Sequence, residues 1–199
     1  MNKSVFTTKR IARIAILSVV ATVLMMFDFP LPFIAPPFYK IDFSEVAVLI
    51  GGFAMGPMAA VMIELLKNVL NVLIGGSATM MVGEFSNFVV GCAFCVPATI
   101  IYQKHKTKGT ALKGLIVGTL AMTFVGFFSN LFVVIPAYVT FMGFELETII
   151  GMASSIFPFI DSTFLLVLCC TTPFNIIKGI VVSIFTVLLY KHVSPLLKA

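Results

Sequence analysis

Residues 171–190 read TTPFNIIKGIVVSIFTVLLY, an apolar stretch that contains one amide, Asn175, and one ammonium group, Lys178. Thr172 is a favourable N-cap and Pro173 a favourable first helical residue, so we expect a helix of about 19 residues, roughly 28 Å long. That length spans the hydrocarbon core of a bilayer. Because Asn175 and Lys178 are three residues apart, they share one helical face. The stretch therefore predicts a membrane-spanning helix with a polar pair near its start.

The position of Lys178 in this helix has two interpretations. A lysine at the centre of a lipid-facing helix costs about 2.5 to 3.5 kcal/mol on insertion scales. We therefore expect its ammonium group to face protein or a wet cavity. The alternative is a side chain that extends along the helix and reaches the outer interface.

The composition excludes a soluble globular domain. Of 199 residues, 60% are hydrophobic and 11% are charged, and the mean hydropathy is +1.13. Such a chain cannot surround a core with a polar surface, so we expect a single integral membrane domain over residues 1–199. The net charge of +5 comes from predicted loops, which suits membrane topology better than nucleic-acid binding. The basic N-terminal segment precedes an apolar run without a small-residue cleavage site, which predicts a first span rather than a removed signal.

The basic residues predict the orientation of the chain. An excess of lysine and arginine marks cytoplasmic loops, and an even number of crossings must then separate one basic cluster from the next. Three such clusters occur, and they consist of Lys3, Lys9, Arg10 and Arg13, then Lys104, Lys106, Lys108 and Lys113, and finally Lys191 and Lys198.

Glycine and proline divide the apolar segments between these clusters. Gly51-Gly52 and Gly56-Pro57 predict a short helix before a longer one, and the short helix should be packed inside the bundle. Pro158 and Asp161 interrupt residues 139–171, which we expect to form a long outer loop with one or two short apolar helices. The predicted helices are residues 10–27, 44–55, 57–74, 81–103, 113–138 and 172–190. The predicted fold is an all-α membrane protein, a six-helix transmembrane bundle with both termini cytoplasmic and a long outer loop before the last helix.

Several charged residues lie at membrane depth, where polar groups usually face the interior of a bundle and pair there. Glu64 and Lys67 are three residues apart, which favours an internal ion pair. Asp42 and Glu45 lie at the start of the second helix, where carboxylates suit the positive helix end. For these two carboxylates, capping and ligand contact both remain open.

Asn130 and the pair Asn175 and Lys178 fall where the outer ends of the last two spans should converge, which favours a binding site. Lysine only donates hydrogen bonds, while an asparagine amide both donates and accepts. Two asparagines and one lysine therefore match a ligand edge that reads acceptor, donor, acceptor, such as a cyclic imide. Glu84 and Asn87 share another helical face and either bind a ligand or brace the bundle.

Four segments carry a resemblance to a known family: FYKIDFSEVAVLIGGFAMGP at 38–57, IELLKNVLNVLIGG at 63–76, MVGEFSNFVVG at 81–91 and PFNIIKGIVVSIFTVLLYKHVSPLLK at 173–198. They resemble the riboflavin-specific S component of energy-coupling-factor (ECF) vitamin transporters, in order and along nearly the whole chain. The resemblance implies a multi-pass subunit of the cell membrane that captures riboflavin from outside and is not an enzyme. It implies ring contacts from Asn130, Asn175 and Lys178, a covering loop with Tyr39, Asp42 and Phe43, and ribityl contacts near Gly83 and Glu84.

The resemblance also implies partners, namely a transmembrane coupling protein and two ATP-binding subunits. The chain has no G-x-x-x-x-G-K-[ST] loop, so ATP should be used by those partners, and we predict no cofactor or metal for the chain itself. S components are similar in docking through small residues of the first helix. Here such a seam would consist of Ala15, Ser18, Ala21 and Thr22, although small residues also pack helices within one protein.

Other functions remain open at this point. The nearest alternative is an S component for another vitamin, such as thiamine or a folate. A membrane assembly subunit without a small-molecule ligand is a second alternative. An intramembrane enzyme would need a catalytic pair such as His with Asp, or a metal cluster, at membrane depth. His105 and His192 instead fall in basic loop segments, which disfavours an enzyme.

Overall fold

The computed structural model describes residues 7–198, with side chains described up to Lys191. Over this part of the chain it contains seven helices and one short hairpin. The elements are α1 Thr8–Met26, β1 Phe29–Pro30, β2 Lys40–Ile41, α2 Ser44–Met55, α3 Pro57–Gly75, α4 Val82–Lys104, α5 Lys108–Met142, α6 Leu146–Ser154 and α7 at residues 163–198. The predicted, mainly helical fold is therefore confirmed.

Four of the described helices, α3, α4, α5 and α7, are long and apolar enough to cross a membrane. The first helix α1 is 19 residues long but carries Lys9, Arg10 and Arg13, and it falls outside this group because of those charges. The six predicted crossings and the cytoplasmic position of both termini remain predictions.

The short helix α2 is the central element of the bundle. Every residue from Ser44 to Phe53 is buried, which confirms the predicted packing of this helix inside the bundle. The break before α3 comes from Gly56 and Pro57. Gly56 has a φ of 101°, a backbone conformation that favours glycine, and Pro57 starts the next helix. Contrary to the prediction, Gly51 and Gly52 do not break the helix, since they lie inside α2.

The start of the last helix differs from the prediction. Thr172 is not an N-cap, because the helix already begins at Thr163 and is capped by Ser162, whose hydroxyl accepts a hydrogen bond from the Leu165 N–H. The chain passes through a π turn at Val167–Thr171 and then continues as Thr172–Lys198. A proline within a helix lacks an N–H and its ring collides with the preceding turn. The widened turn directly before Pro173 accommodates this residue, so the helix does not end there.

The outer loop predicted at residues 139–171 is correspondingly shorter. Helix α5 continues to Met142, beyond the predicted end at residue 138, and a π turn at Asn130–Val134 precedes Pro136 in the same way. Residues 143–162 remain between α5 and α7, and they contain one short helix, α6, as predicted.

The segment before α2 is folded back on itself, a feature that the sequence did not predict. Strands β1 and β2 pair antiparallel, with Phe29 opposite Ile41. An ion pair between Lys40 Nζ and Asp28 Oδ1, 3.0 Å long, lies beside the hairpin. The hairpin closes the loop of residues 31–39, whose Phe38 and Tyr39 pack against Tyr138 of α5 and Phe174 of α7.

Two apolar clusters form the core. One joins α1, α2, α3 and α4 to the first half of α5 and to Val182 of α7. The other joins the loop before α2 to the second half of α5, α6 and the start of α7. A cavity lies between them, since its walls include Met122, which belongs to the first cluster, and Val134 and Tyr138, which belong to the second.

Candidate functional site

The cavity between the two clusters has a volume of about 130 Å³. Residues from the loop before α2 and from helices α2, α4, α5 and α7 line it. Five of the residues that we predict as ligand contacts belong to this lining, and they are Tyr39, Gly83, Asn130, Asn175 and Lys178. The fold thus brings together residues that lie far apart in the sequence.

Asn130 is held between the loop and its own helix. Its Oδ1 accepts a hydrogen bond of 2.9 Å from the hydroxyl of Tyr39, and its Nδ2 donates to the carbonyl oxygen of Gly126 at 2.8 Å. The same hydroxyl accepts a hydrogen bond of 2.7 Å from Thr171 Oγ1. Burial raises the pKa of the Tyr39 phenol above its usual value. Its hydroxyl donates to Asn130 Oδ1 because an amide oxygen can only accept. Tyr39 therefore joins the loop before α2 to α5 and α7.

Asn175 lies on α7, one turn before Lys178 and facing α5. It is buried, and a Cβ at Gly126 would collide with its side-chain nitrogen. The absence of a side chain at Gly126 therefore allows α5 and α7 to approach each other where Asn130 and Asn175 line the cavity.

Lys178 is a buried member of the cavity wall, 7% exposed, so its side chain does not reach an interface. Its Nζ lies 3.0 Å from Asp42 Oδ2 and 3.2 Å from Glu45 Oε1. The alternative of an extended side chain that reaches the interface is therefore wrong. Asp42 also accepts a hydrogen bond of 2.8 Å from the Ser44 N–H, so it caps the start of α2 and pairs with Lys178 at once.

The ion pairs extend from Lys178 into the centre of the bundle. Glu45 Oε1 lies 3.1 Å from Lys67 Nζ, and Lys67 Nζ lies 2.9 Å from Glu64 Oε1. The predicted pair of Glu64 and Lys67 is thus confirmed, and Ser44 accepts a hydrogen bond of 2.7 Å from the Lys67 ammonium group. This chain of three carboxyl and two ammonium groups, which we call the buried ion chain, connects α2, α3 and α7.

Three predicted ligand contacts, Asp42, Phe43 and Glu84, do not line the cavity. Asp42 is engaged by Lys178, and Phe43 packs against Phe185, with ring centroids 4.9 Å apart. Glu84 accepts hydrogen bonds from Ser77 Oγ at 2.9 Å and Thr79 Oγ1 at 3.0 Å, so it braces the segment before α4. Structural contacts occupy all three side chains, and this arrangement disfavours direct contact with a ligand.

Several aromatic residues of the cavity wall are not among the predicted ligand contacts. Phe38, Tyr138 and Phe174 supply aromatic surface, and the rings of Tyr39 and Phe174 are 5.5 Å apart. Phe38 and Phe174 had a local signal, since they precede Tyr39 and Asn175, whereas Tyr138 had none. Glu45, for which helix capping and ligand contact are both open, also lines the cavity.

The predicted docking seam on α1 is mostly internal. Ser18, Ala21 and Thr22 are buried, and Thr22 Oγ1 donates to the carbonyl oxygen of Lys67 on α3 at 3.4 Å. These three residues pack α1 against its own bundle, which disfavours docking through them. Ala15 is exposed on another face of the helix.

Known proteins resemble this chain along nearly its full length. The sequence profile described as "ECF transporter, substrate-specific component" matches residues 9–190. "Riboflavin transporter RibU" of Staphylococcus aureus (strain TCH60) is 37% identical over 190 residues, covering 96% of this chain and 93% of that protein. "Riboflavin transporter FmnP" of Bacillus subtilis (strain 168) is 33% identical over 189 residues, covering 94% of this chain and 93% of that protein.

The fold is similar to a solved structure described as "Structure and mechanism of the S component of a bacterial ECF transporter". The TM-score is 0.76 at 37% sequence identity, and the match covers 96% of this chain and 98% of that one. Both the family profile and the aligned relatives extend over nearly all of the sequence. This protein therefore belongs to the family of substrate-specific components of ECF transporters.

Proposed function

We propose that this chain is the riboflavin-binding subunit of an ECF vitamin transporter, which captures riboflavin outside the cell and delivers it inward with an ATP-driven partner module. The observation that carries the proposal is the meeting of Asn130, Asn175 and Lys178 in one buried cavity. Two relatives that cover the chain almost completely are named riboflavin transporters. The chain is a multi-pass membrane protein with a binding role rather than an enzyme.

The donor and acceptor positions of the cavity suit the dione edge of a flavin ring. The Lys178 ammonium group can donate to a ring carbonyl, and the Asn175 amide can donate and accept. Asn130 uses one lone pair of Oδ1 for Tyr39 and one N–H for Gly126, which leaves one lone pair and one N–H for a ligand. An edge that reads acceptor, donor, acceptor can pair with these groups.

The cavity has to widen for a ligand of this size. Its volume of about 130 Å³ is below the range of roughly 300–1,000 Å³ that is typical of small-molecule sites. Tyr39 packs against Phe174 and belongs to the loop that covers the cavity, so withdrawal of this side chain would create space. A flavin ring could then replace the aromatic contact with Phe174 by its own stacking contact.

The chain itself should need no cofactor, with riboflavin as its transported substrate and ATP used by the partner subunits. The proposed partners are a transmembrane coupling protein and two ATP-binding subunits. The proposed topology has six crossings, by α1, α2, α3, α4, α5 and α7, with both termini cytoplasmic. The exposed side of α1 around Ala15 is the part of the predicted seam that remains for docking. A reporter fused after Ala199 would test the orientation, and reporter activity outside the cell would contradict it.

The ligand is tested by purifying the protein and recording its absorption spectrum, followed by calorimetric titration with riboflavin, thiamine and folate. We expect copurifying flavin absorbance and tight binding of riboflavin alone. Asn175→Leu should weaken riboflavin binding by more than about tenfold, or 1.4 kcal/mol. A protein that binds thiamine or folate and not riboflavin would be an S component for another vitamin. A folded protein that binds none of the three would favour the assembly subunit.

A further inference from the structure

Asn87 is a polar residue of the cavity wall whose hydrogen bonding within the chain is incomplete. It lies on α4, one turn after Gly83, and lines the same cavity as Asn175 and Lys178. Its Oδ1 is shielded from solvent and has no hydrogen-bond partner in the part of the chain that the structure describes. Buried side-chain oxygens in proteins almost always accept a hydrogen bond, so this oxygen requires an explanation.

The neighbouring groups of the cavity do not supply a donor to this oxygen. The Lys178 ammonium group is directed to Asp42 and Glu45, at 3.0 Å and 3.2 Å. The Tyr39 hydroxyl donates to Asn130. A ligand that brings its own N–H or O–H groups into this cavity needs acceptors, whereas Lys178 can only donate. The unpaired oxygen of Asn87 provides such an acceptor.

We propose that Asn87 is a further ligand-binding residue, whose side-chain oxygen accepts a hydrogen bond from a donor group of the bound flavin. The donor is either the imide N–H of the ring or a hydroxyl of the ribityl chain. This inference rests on the proposed function, since it assumes a flavin in the cavity. It assigns to α4 a direct contact in addition to those from α5 and α7.

Asn87 differs from Asn68, a buried asparagine whose side chain has a structural role. Asn68 Oδ1 also has no partner among the described residues, but its Nδ2 donates to the carbonyl oxygen of Glu64 at 2.8 Å and to Glu64 Oε1 at 3.3 Å. Asn68 lies inside the bundle and does not line the cavity. The side chain of Asn87 makes no such bond to its own helix in the described part of the chain, and it borders the space where a ligand would lie.

The test is a titration of purified full-length protein with Asn87→Leu, which removes the oxygen and keeps a similar volume. Asn71→Leu is the matched control, because Asn71 is a half-buried asparagine of α3 that does not line the cavity. We expect Asn87→Leu to weaken riboflavin binding by about tenfold or more, while Asn71→Leu binds like wild type. Melting temperatures of both variants measure any loss of folding.

Two analogues identify the donor group. Lumiflavin has the same ring without ribityl hydroxyls, and 3-methylriboflavin lacks the imide N–H. If Asn87 accepts from a hydroxyl, Asn87→Leu should weaken the binding of riboflavin and leave the binding of lumiflavin unchanged. If it accepts from the imide N–H, Asn87→Leu should weaken the binding of riboflavin and of lumiflavin, and leave the binding of 3-methylriboflavin unchanged. Either pattern supports the inference.

Three outcomes would overturn it. If Asn87→Leu binds riboflavin with wild-type affinity, Asn87 does not contact the ligand, and the proposed function is unaffected. Equal weakening of all three ligands would indicate that Asn87 only maintains the shape of the cavity. Failure of the wild-type protein to bind any flavin would overturn the proposed function first, and this inference with it.

Discussion

Replacement of Lys178 by methionine should affect both stability and ligand binding. The Nζ of Lys178 lies 3.0 Å from Asp42 Oδ2 and 3.2 Å from Glu45 Oε1, and the residue is 7% exposed. Two opposite unit charges 3.0 Å apart attract each other by about 5–6 kcal/mol at an effective dielectric constant of about 20. Desolvation offsets part of this attraction, and breaking a buried pair by removing one partner typically costs about 3–5 kcal/mol. We expect Lys178→Met to lower the free energy of unfolding by this amount.

A second substitution separates the two effects. Asp42→Asn removes the carboxylate that Lys178→Met leaves unpaired, and the asparagine oxygen can still accept the hydrogen bond from the Ser44 N–H. Glu45 keeps Lys67, at 3.1 Å, as its partner. The double variant should therefore regain part of the lost stability, with a coupling energy of about 1–3 kcal/mol. Flavin binding should remain weakened by more than about tenfold in Lys178→Met and in the double variant, because the donor to the ring carbonyl is absent.

The assay is a double-mutant cycle on the purified protein, with thermal unfolding and riboflavin titration measured for wild type, both single variants and the double variant. Lys178→Met with the stability of wild type would refute the structural contribution that we assign to the ion pairs. A double variant that binds riboflavin like wild type would refute the ligand contact of Lys178, since its role would then be structural alone.

Three further predictions concern the cavity and the surface. Gly126→Ala should weaken riboflavin binding by about tenfold, because the added methyl group displaces the Asn175 amide, and an unchanged titration would contradict this close packing. Tyr39→Phe should speed riboflavin association several-fold in stopped-flow measurements, because withdrawal of this side chain then no longer breaks two hydrogen bonds of about 1 kcal/mol each, and an unchanged association rate would contradict the withdrawal. Ala15→Leu should reduce copurification with the partner module and keep riboflavin binding. By contrast, Ala21→Leu should lower the free energy of unfolding by about 1–3 kcal/mol, because the larger side chain overpacks a buried site. Equal copurification of wild type and Ala15→Leu would argue against docking at that face.

The sequence predicted the helices well where composition and breaker residues decide them. Gly56 and Pro57 separated two helices in the expected place, and the short α2 is buried as its length required. Small residues on α1 were ambiguous, because the same pattern serves docking and internal packing. The burial of Ser18, Ala21 and Thr22 in the structure shows that internal packing occurs here.

The candidate site could be predicted only in part. Helical spacing placed Asn175 and Lys178 on one face, and both line one cavity in the structure. The contacts of Lys178 with Asp42 and of Tyr39 with Asn130 join residues 136 and 91 positions apart. No local pattern specifies such pairings, since they depend on how the helices pack around α2.

The two π turns explain why the most conspicuous local signal was misread. Thr172-Pro173 resembles a helix start, but the helix continues through it, because the Thr172 N–H bonds to the Val167 carbonyl five residues earlier and thus widens the turn before the proline. The same arrangement precedes Pro136, where the Ile135 N–H bonds to the Asn130 carbonyl. One extra residue in a turn rotates the segment after the turn by about 100° relative to the segment before it. The turn before Pro173 therefore sets the rotation with which Asn175 and Lys178 face the cavity, and the turn that starts at Asn130 sets the rotation of Tyr138 relative to Asn130.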